Sequence, residues 1–208
     1  CNVVPDGVVL FFPSYSYESA IYDYWFKSGI IRKIEMKKKY FREPKSSTEV
    51  DRVLSDYKQT IDRAQLTRDK QYSFQGAVLS CVVGGKMSEG INFSDGYGRL
   101  VVVIGLPYPN PNDLELKEKM NYLNARQKGS GTDYYDDLCM KAVNQSIGRS
   151  IRHANDYASI LLLDQRYSRA NIQAKLPSWI RSRLVACDSF GPAFAQVAKF
   201  FKAKQASS

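Results

Sequence analysis

Gln145, Arg149 and Arg152 have side chains of the types that bind and activate a polyphosphate. They occur at positions i, i+4 and i+7, so they would share one face of a continuous helix. A guanidinium group stays charged and donates two parallel hydrogen bonds to phosphate oxygens, which stabilises the negative charge that grows during phosphoryl transfer. The open alternative for this segment is a solvated helix face that carries salt bridges.

An apolar row predicts the helix that would position these residues. The row recurs every four residues, on roughly the opposite side, at Cys139, Val143, Ile147 and Ile151. We therefore expect a helix over residues 134–152 that buries this row and exposes the two arginines. The polar residues 128–133 precede this helix and are expected to be mobile.

Strands and helices alternate along the rest of the chain. Apolar or extended segments predict strands at residues 7–13, 30–41, 76–83, 100–105 and 158–163. The other predicted helices cover residues 14–27, 48–68, 112–127 and 192–204. Because most of these strands are apolar on both faces, they indicate a parallel sheet covered on each side. The fold class we expect is α/β, a doubly wound parallel sheet with helices on both faces, in one domain over residues 1–208.

In such sheets, ligands bind at the carboxyl ends of the strands. Four segments directly follow predicted strands, namely residues 13–15, 84–92, 107–109 and 164–166. We therefore expect them to lie on one edge of the sheet, which we call the rim.

The loop GGKMSEGINF at residues 84–93 combines glycines with Lys86, Ser88 and Glu89. Glycines let backbone N–H groups approach a phosphate closely. A P-loop would need glycine five positions before Gly85 and a hydroxyl after Lys86, but Ser80 and Met87 stand there. The chain therefore lacks the standard triphosphate cradle, and a structural turn and a ligand loop both stay open.

The segment FPSYS at residues 12–16 offers hydroxyls and an aromatic ring at a strand end. Ser14 and Tyr15 could bond a sugar-phosphate and stack on a base. Equally, Ser14 or Ser16 could cap a helix. Four lysines, Lys33, Lys37, Lys38 and Lys39, are interpreted as a solvated strand face.

Composition limits the classes of partner and site. The 30 basic and 21 acidic residues give a net charge of +9, which favours a polyanionic partner, nucleic acid before membrane. The four cysteines and single histidine have no metal-ligand spacing, so we expect no metal site and no cysteine or serine nucleophile paired with His153. We expect reduced, mostly buried cysteines, an intracellular location and no membrane span. Starting without methionine, the chain reads as a piece of a longer protein.

Four motifs in order, FFPSY, GGKMSEGINF, GLPYP and NQSIGRSIRHANDYASILLLDQR, resemble the second RecA-like motor domain of superfamily 2 DNA helicases. The set is most similar to the XPD-like iron–sulphur branch, and within it to the chromosome-loss helicases, whose phrases include GKMSEGINFSD and MKAVNQSIGR. The resemblance covers about residues 7–202. Each motif alone is loose, whereas the ordered set is specific.

The resemblance implies roles for particular residues. Arg152 would be the arginine finger, Arg149 would reach the same ATP across a cleft, and Gln145 would position the γ-phosphate or its attacking water. Gly90, Glu89 and Asn92 would line the nucleotide side, although many relatives carry aspartate where Asn92 stands. Contacts to the single-stranded DNA backbone would come from Ser14, Tyr15, Ser88 and, more weakly, Lys86.

The resemblance also implies partners beyond this chain. ATP and Mg²⁺ would bind at the interface with a first motor domain, and a 4Fe-4S cluster would lie in that other half rather than here. Single-stranded or forked DNA, the N-terminal motor domain of the same protein, and replication and cohesion factors would be the partners, in the nucleus. Because the Walker A lysine and DEAH box have no counterpart in this sequence, the chain alone is not expected to hydrolyse ATP.

The same sequence features bear on two functions other than a helicase motor. A non-catalytic nucleic-acid-binding or scaffold module with the same fold stays open. A dehydrogenase-type nucleotide enzyme is disfavoured, because no G-x-G-x-x-G follows the first predicted strand.

Overall fold

A five-stranded parallel sheet forms the centre of the protein. The computed structural model describes residues 1–67, 74–87, 92–151, 153 and 155–206. The strands are β1 (Asp6–Phe12), β2 (Lys39–Arg42), β3 (Gly76–Val82), β4 (Leu100–Ile104) and β5 (Ser159–Leu163). Their order in the sheet is β2-β3-β1-β4-β5, with every pair parallel. Both β3 and β4 pair with β1, so the chain crosses over β1 between them.

Helices connect these strands on both sides of the sheet. The described residues contain α1 (Tyr15–Lys27), α2 (Ile30–Glu35), α3 (Val50–Leu66), α4 (Leu114–Arg126), α5 (Ser130–Ile147), α6 (Ala170–Ala174), α7 (Ser178–Arg181) and α8 (Phe190–Ala206). Short 3₁₀ turns occur at Ser47–Glu49, Asp95–Gly98 and Gln165–Ser168.

Alternate residues of β1 enter two separate hydrophobic cores. Val9 and Phe11 pack with α3 and α5, and Val8, Leu10 and Phe12 pack with α1 and α8. Every residue of β1 and β3 is buried, which explains why their sequences are nearly continuous apolar runs. The predicted α/β class, with a parallel sheet covered on both faces, is confirmed.

The extended segment predicted at residues 30–41 is wrong over most of its length. Gly29 adopts a left-handed conformation, with φ of 74°, which ends α1 and lets α2 start at once. Ile31 is buried and Ile34 is partly buried against the α1 side of the sheet, at helical rather than alternating spacing. Only Lys39–Arg42 forms a strand.

Lys38 is not part of a solvated face. It is fully buried, and its ammonium group donates to the backbone oxygens of Asp6 at 2.6 Å and Gln75 at 3.2 Å. Asp6 is the first residue of β1 and Gln75 directly precedes β3, so a lysine before β2 joins the amino ends of three strands. The interpretation of Lys33, Lys37 and Lys39 as exposed holds.

The helix expected at residues 134–152 is shifted toward the N-terminus. It begins at Ser130, after Gly129 with φ of 94°, so most of the loop expected at residues 128–133 is helical. Gly131 allows α5 to approach α4, because a Cβ there would lie 2.5 Å from the Met120 carbonyl oxygen. The helix ends at Ile147, five residues before Arg152.

The expectation that most cysteines are buried holds for two of the four. Cys81 and Cys139 are buried, whereas Cys1 and Cys187 are exposed. Among the described residues, no helix combines the length and the low polarity that a membrane crossing requires.

The contribution of the buried Lys38 ammonium group to stability can be tested by substitution. Lys38→Met keeps the length of the side chain but leaves two backbone oxygens without this donor, and we expect the free energy of unfolding in urea to fall by about 1–3 kcal/mol. Lys37→Met removes the same charge from an exposed neighbour and should change it by less than about 0.5 kcal/mol. Equal losses in the two variants would contradict a role for the Lys38 bonds.

Candidate functional site

The carboxyl ends of the strands meet at one edge, as expected for the rim. A Cβ built on Gly105, which follows β4, would lie 3.7 Å from Pro13 Cγ after β1 and 4.0 Å from Asp164 Oδ2 after β5. The Gly105 amide also donates to the Leu163 carbonyl oxygen at 3.0 Å. Segments far apart in sequence therefore lie within side-chain reach of one another.

Glu43, which directly follows β2, accepts hydrogen bonds from two other parts of the rim. Its Oε1 accepts from the Tyr15 hydroxyl at 2.7 Å and from the Met87 amide at 3.2 Å, and its Oε2 accepts from the Val82 amide at 2.7 Å. One carboxylate therefore joins the start of α1 to the loop that follows β3. The sequence interpretation assigned no role to Glu43, because nothing in its local pattern distinguishes it from an ordinary loop residue.

The glycine pair after β3 is explained by this glutamate. A Cβ on Gly85 would lie 2.5 Å from Glu43 Oε1 and 2.9 Å from the Tyr15 hydroxyl oxygen, so only glycine fits without displacement. Gly84 has φ of 71°. Lys86 is exposed, and its ammonium group donates to the Lys45 backbone oxygen. The loop is thus a packed turn at its beginning that leaves a cation at the surface.

Tyr15 is partly exposed on the rim and keeps its proton. Burial of its hydroxyl, followed by the hydrogen bond to Glu43, raises the pKa of Tyr15 to about 12. At neutral pH the phenol is therefore protonated, and its O–H already donates a hydrogen bond to Glu43. Tyr15 as a whole residue is 37% exposed, which is enough surface to contact a ligand.

Glu18 anchors the first turn of α1, on which Tyr15 lies. Its carboxylate accepts from Arg42 Nε at 2.9 Å and Nη2 at 2.6 Å, and from the Ser80 hydroxyl at 2.8 Å. Glu18 is buried, so this bidentate pair is protected from solvent screening. The pair fixes α1 against β2 and β3.

Ser14 is the N-cap of α1. Its hydroxyl accepts from the Tyr17 amide at 3.2 Å and shares a 3.0 Å hydrogen bond with the Ser16 hydroxyl. The capping alternative is therefore confirmed for Ser14. Its proposed contact to DNA stays a prediction, since a capping oxygen is only partly engaged.

Gln145 and Arg149 do not lie on one helix, so the common helical face expected for these two residues is wrong. Gln145 is exposed on the last turn of α5, while Arg149 follows the C-cap Gly148. Ser150 ends the helix, because both its hydroxyl, at 2.7 Å, and its amide, at 3.1 Å, bond the Ile147 carbonyl oxygen. Of the predicted apolar row, Cys139, Val143 and Ile147 are buried as expected, whereas Ile151 is only partly buried and lies beyond the end of α5.

The turn after α5 pairs with the segment that contains Asn92. The Phe93 amide donates to the Arg149 carbonyl oxygen at 3.0 Å, and the Phe93 ring is buried against Phe11 with centroids 6.1 Å apart. Asn92 is exposed and its side-chain oxygen accepts from the Ser94 amide at 3.1 Å. Arg149 and Asn92, two residues expected to face a nucleotide, therefore lie on adjacent segments.

Four predicted site residues cannot be placed. Arg152, Gly90, Glu89 and Ser88 lie outside the described residues. Their roles stay predictions that rest on sequence.

The rim near β5 carries a second ion pair. Arg166 donates to both carboxylate oxygens of Asp164, at 2.8 and 2.7 Å, and these bonds lower the pKa of Asp164. The Arg166 guanidinium carbon lies 5.4 Å from the Tyr108 ring centroid, and the Tyr108 hydroxyl donates to Asp136 on α5 at 2.7 Å. The sequence predicts that Asp164 and Arg166 lie on the rim, but it does not predict this link to α5.

Among the described residues, one set of side chains has ligand atoms close enough for a metal, all within 4.8 Å of one another: Asp95, His153 and Asp156. His153 Nε2 lies 2.9 Å from Asp95 Oδ1. Asp156, however, already accepts from Arg99 Nη1 at 2.9 Å and from the Asp95 amide. Protein donors therefore neutralise this carboxylate, and the set reads as a hydrogen-bonded turn.

The five-stranded parallel sheet with helices on both faces defines an α/β protein, and comparison with known proteins gives the family. Residues 1–183 match the family model described as helicase C-terminal domain. The chain belongs to this family of helicase C-terminal domains, and the predicted resemblance to XPD-like and chromosome-loss helicases is confirmed.

Relatives in animals and fungi cover almost the whole chain. The ATP-dependent DNA helicase DDX11 of Danio rerio is 51% identical over 210 residues, which is 99% of this chain and 23% of that protein. The ATP-dependent DNA helicase chl1 of Schizosaccharomyces pombe is 42% identical over 98% of this chain and 24% of its own length. The chain thus spans about a quarter of the curated relatives it matches.

Solved structures support the fold independently. One named XPD_APO has a TM-score of 0.57 at 21% identity and covers 83% of this chain and 31% of its own. The structure of S. tokodaii Xpd4 has a TM-score of 0.52 at 22% identity, over 86% of this chain and 30% of its own. At these identities the likeness shows the fold alone.

Ser14 allows capping and DNA contact to be tested separately. Ser14→Ala removes the cap and should lower the free energy of unfolding by about 1 kcal/mol. Ser14→Asp keeps a capping oxygen and should retain stability, but its charge would repel a nearby phosphate, so affinity for single-stranded DNA should fall. Denaturation and anisotropy measurements on both variants check this. Unchanged DNA affinity in Ser14→Asp would restrict Ser14 to capping.

Proposed function

We propose that this chain is the second motor domain, a single RecA-like unit, of an ATP-dependent DNA helicase that moves 5′ to 3′. The observation that carries the proposal is the backbone hydrogen bond between Phe93 and Arg149. It joins the loop after β3 to the turn after α5, the two segments that would form one half of an ATP site. The names of the relatives, ATP-dependent DNA helicases, support the activity.

The nucleotide would bind between this surface and a first motor domain of the same protein. Arg152 would act as the arginine finger and Arg149 as a second cation on the γ-phosphate, while Gln145 would orient the attacking water. Gly90, Glu89 and Asn92 would line the nucleotide side of the loop. Because Asn92 is an amide that accepts from Ser94, it would contribute hydrogen bonds rather than charge.

The residues fit the phosphate part of this role better than the metal part. Gln145, Arg149 and Asn92, the described members of the site, carry no carboxylate, so Mg²⁺ would take its anionic ligands from ATP, the other domain or Glu89, which lies outside the described residues. A 4Fe-4S cluster does not fit this chain, because its four cysteines have no cluster-ligand spacing, and Cys81 and Cys139 are buried whereas Cys1 and Cys187 are exposed. The cluster of the helicase family would lie elsewhere in the full-length protein.

The single strand would run along the rim. Ser14, Tyr15, Ser88 and Lys86 are the proposed contacts, and the net charge of +9 favours this polyanion. ATP binding would close the cleft between the two motor domains, and hydrolysis would reopen it. Each cycle would then move the rim along the strand.

The names of the relatives support the cellular setting that we propose. Proteins named DDX11 and CHL1 are DNA helicases, so we propose a nuclear role at single-stranded or forked DNA. Replication and cohesion factors are the proposed protein partners.

Two arginine substitutions in the full-length protein test the nucleotide role. Arg152→Ala and Arg149→Ala should each reduce ATP turnover, with Arg152→Ala losing about 10³-fold or more, since an arginine finger stabilises transition-state charge. Affinity for single-stranded DNA should stay within about twofold. Arg32→Ala, at an exposed position on α2, removes the same charge and should leave both unchanged.

The same measurements distinguish a helicase motor from the alternative function, a non-catalytic scaffold module. If Arg152→Ala and Arg149→Ala hydrolyse ATP at the wild-type rate, the arginines have no catalytic role. Binding of DNA without any ATP turnover in the wild-type protein would support the non-catalytic scaffold module instead.

The salt dependence of DNA binding tests the rim. The slope of log affinity against log salt should become shallower by about 0.7 in Lys86→Gln, because one phosphate contact is lost. Lys37→Gln, exposed beyond α2, should leave the slope unchanged. Identical slopes in wild type and Lys86→Gln would remove Lys86 from the DNA path.

A further inference from the structure

We propose that Glu43 is a positioning residue for DNA binding, which holds Tyr15 so that its ring, rather than its hydroxyl, meets the single strand. The inference rests on the proposed function, since it concerns the same rim. It adds a residue to which the sequence motifs assign no role, and it specifies the kind of contact that Tyr15 makes.

The hydrogen bond that the Tyr15 hydroxyl already makes excludes a bond from this hydroxyl to a DNA phosphate. A tyrosine hydroxyl has one proton, and here that proton is donated to Glu43 Oε1 at 2.7 Å. A phosphate oxygen only accepts, so it cannot bond this hydroxyl while the Glu43 bond is intact. The carboxylate would also repel a phosphate placed beside it. The part of Tyr15 that remains available is its exposed ring.

An aromatic ring at the edge of a basic surface suits a base or a sugar. Stacking on an aromatic ring is tolerant of sequence because every base has a π-face. Lys86, on the loop held by the same glutamate, would supply the phosphate contact nearby. The Tyr15 ring would therefore contact a base, and the Lys86 ammonium group would contact a backbone phosphate.

The geometry of Glu43 explains why a carboxylate is required. Both of its oxygens face donors, with Tyr15 and Met87 on Oε1 and Val82 on Oε2. Glutamine has the same shape, but one oxygen becomes an NH₂ group. With that group at the Oε1 position the Met87 amide loses its acceptor, and at the Oε2 position the Val82 amide does, so the side chain that holds Tyr15 loses a backbone bond in either orientation. Glu43→Gln therefore perturbs the tether with almost no change of volume.

The sign of the effect separates positioning from electrostatics. Removing a negative charge from a DNA-binding surface by itself strengthens binding. We expect Glu43→Gln to weaken it instead, by about threefold to tenfold, because Tyr15 loses its fixed position. Glu35→Gln, exposed at the end of α2, makes the same charge change and should give equal or slightly tighter binding.

The experiment measures the affinity of the full-length protein for oligo-dT at several salt concentrations. Tyr15→Leu, which removes the ring, should weaken binding about 5- to 150-fold, the range that base stacking supports. Tyr15→Phe keeps the ring and breaks the tether, so it should match the smaller loss of Glu43→Gln. The double variant Glu43→Gln/Tyr15→Leu should be no weaker than Tyr15→Leu, because both changes act through one ring. Salt slopes should stay unchanged in all of these variants, since no phosphate contact is lost.

Two results would overturn the inference. One is a loss in Tyr15→Phe as large as in Tyr15→Leu with a shallower salt slope, which would place the hydroxyl on a phosphate. The other is full additivity in the double variant, which would make Glu43 independent of Tyr15. If Glu43→Gln does not fold, Tyr15→Phe breaks the same bond from the other side. Failure here leaves wild-type DNA binding and the Arg152→Ala result intact, whereas failure of the proposed function removes one of those.

Discussion

The parallel pairing of β1 with both β3 and β4 brings the described segments of the rim together. Asp6 to Phe12 align with Gly76 to Val82 on one side, and Val8 to Phe11 align with Leu100 to Val103 on the other. Because the strands are parallel and buried on both faces, the loops that leave them all emerge at the same edge. The pairing thus brings FFPSY, the loop after β3 and GLPYP onto one rim, although they are separated by many residues in the sequence.

Carboxylates then fix the parts of the rim to one another. Glu18 ties α1 to β2 and β3 through Arg42 and Ser80, and Glu43 ties Tyr15 to the loop after β3. A negative charge is unexpected on a surface proposed to bind DNA. Here the charge is taken up by internal donors, so it orders the surface while Lys86 remains exposed.

The nucleotide side is organised by a helix end rather than by a helix face. Ser150 bonds the Ile147 carbonyl oxygen and ends α5, so Arg149 lies on a turn that pairs with Phe93. Such a turn has fewer internal hydrogen bonds than a helix and can adjust when another domain approaches. The composite nucleotide site that we propose would draw on this turn.

The sequence by itself determined the α/β class, the strands β1, β3, β4 and β5, the buried row of α5 and the convergence of the motifs at the carboxyl ends. These follow from local apolar runs and helical spacing, which act between near neighbours in the chain. The family was also readable, because its motifs are ordered and specific. The α2 helix was missed because Gly29 restarts a helix where lysines suggested an exposed strand.

Only the tertiary structure decided the roles of Lys38, Glu43 and Arg149. Lys38 is buried because carbonyl oxygens from two other segments accept its protons, and Glu43 matters because Tyr15, Val82 and Met87 surround it. Arg149 leaves the helix because Ser150 and Phe93 offer its segment other hydrogen bonds. In each case the deciding partner is brought by the folded chain, and a polar side chain carries no local sign of which distant donor or acceptor it will meet.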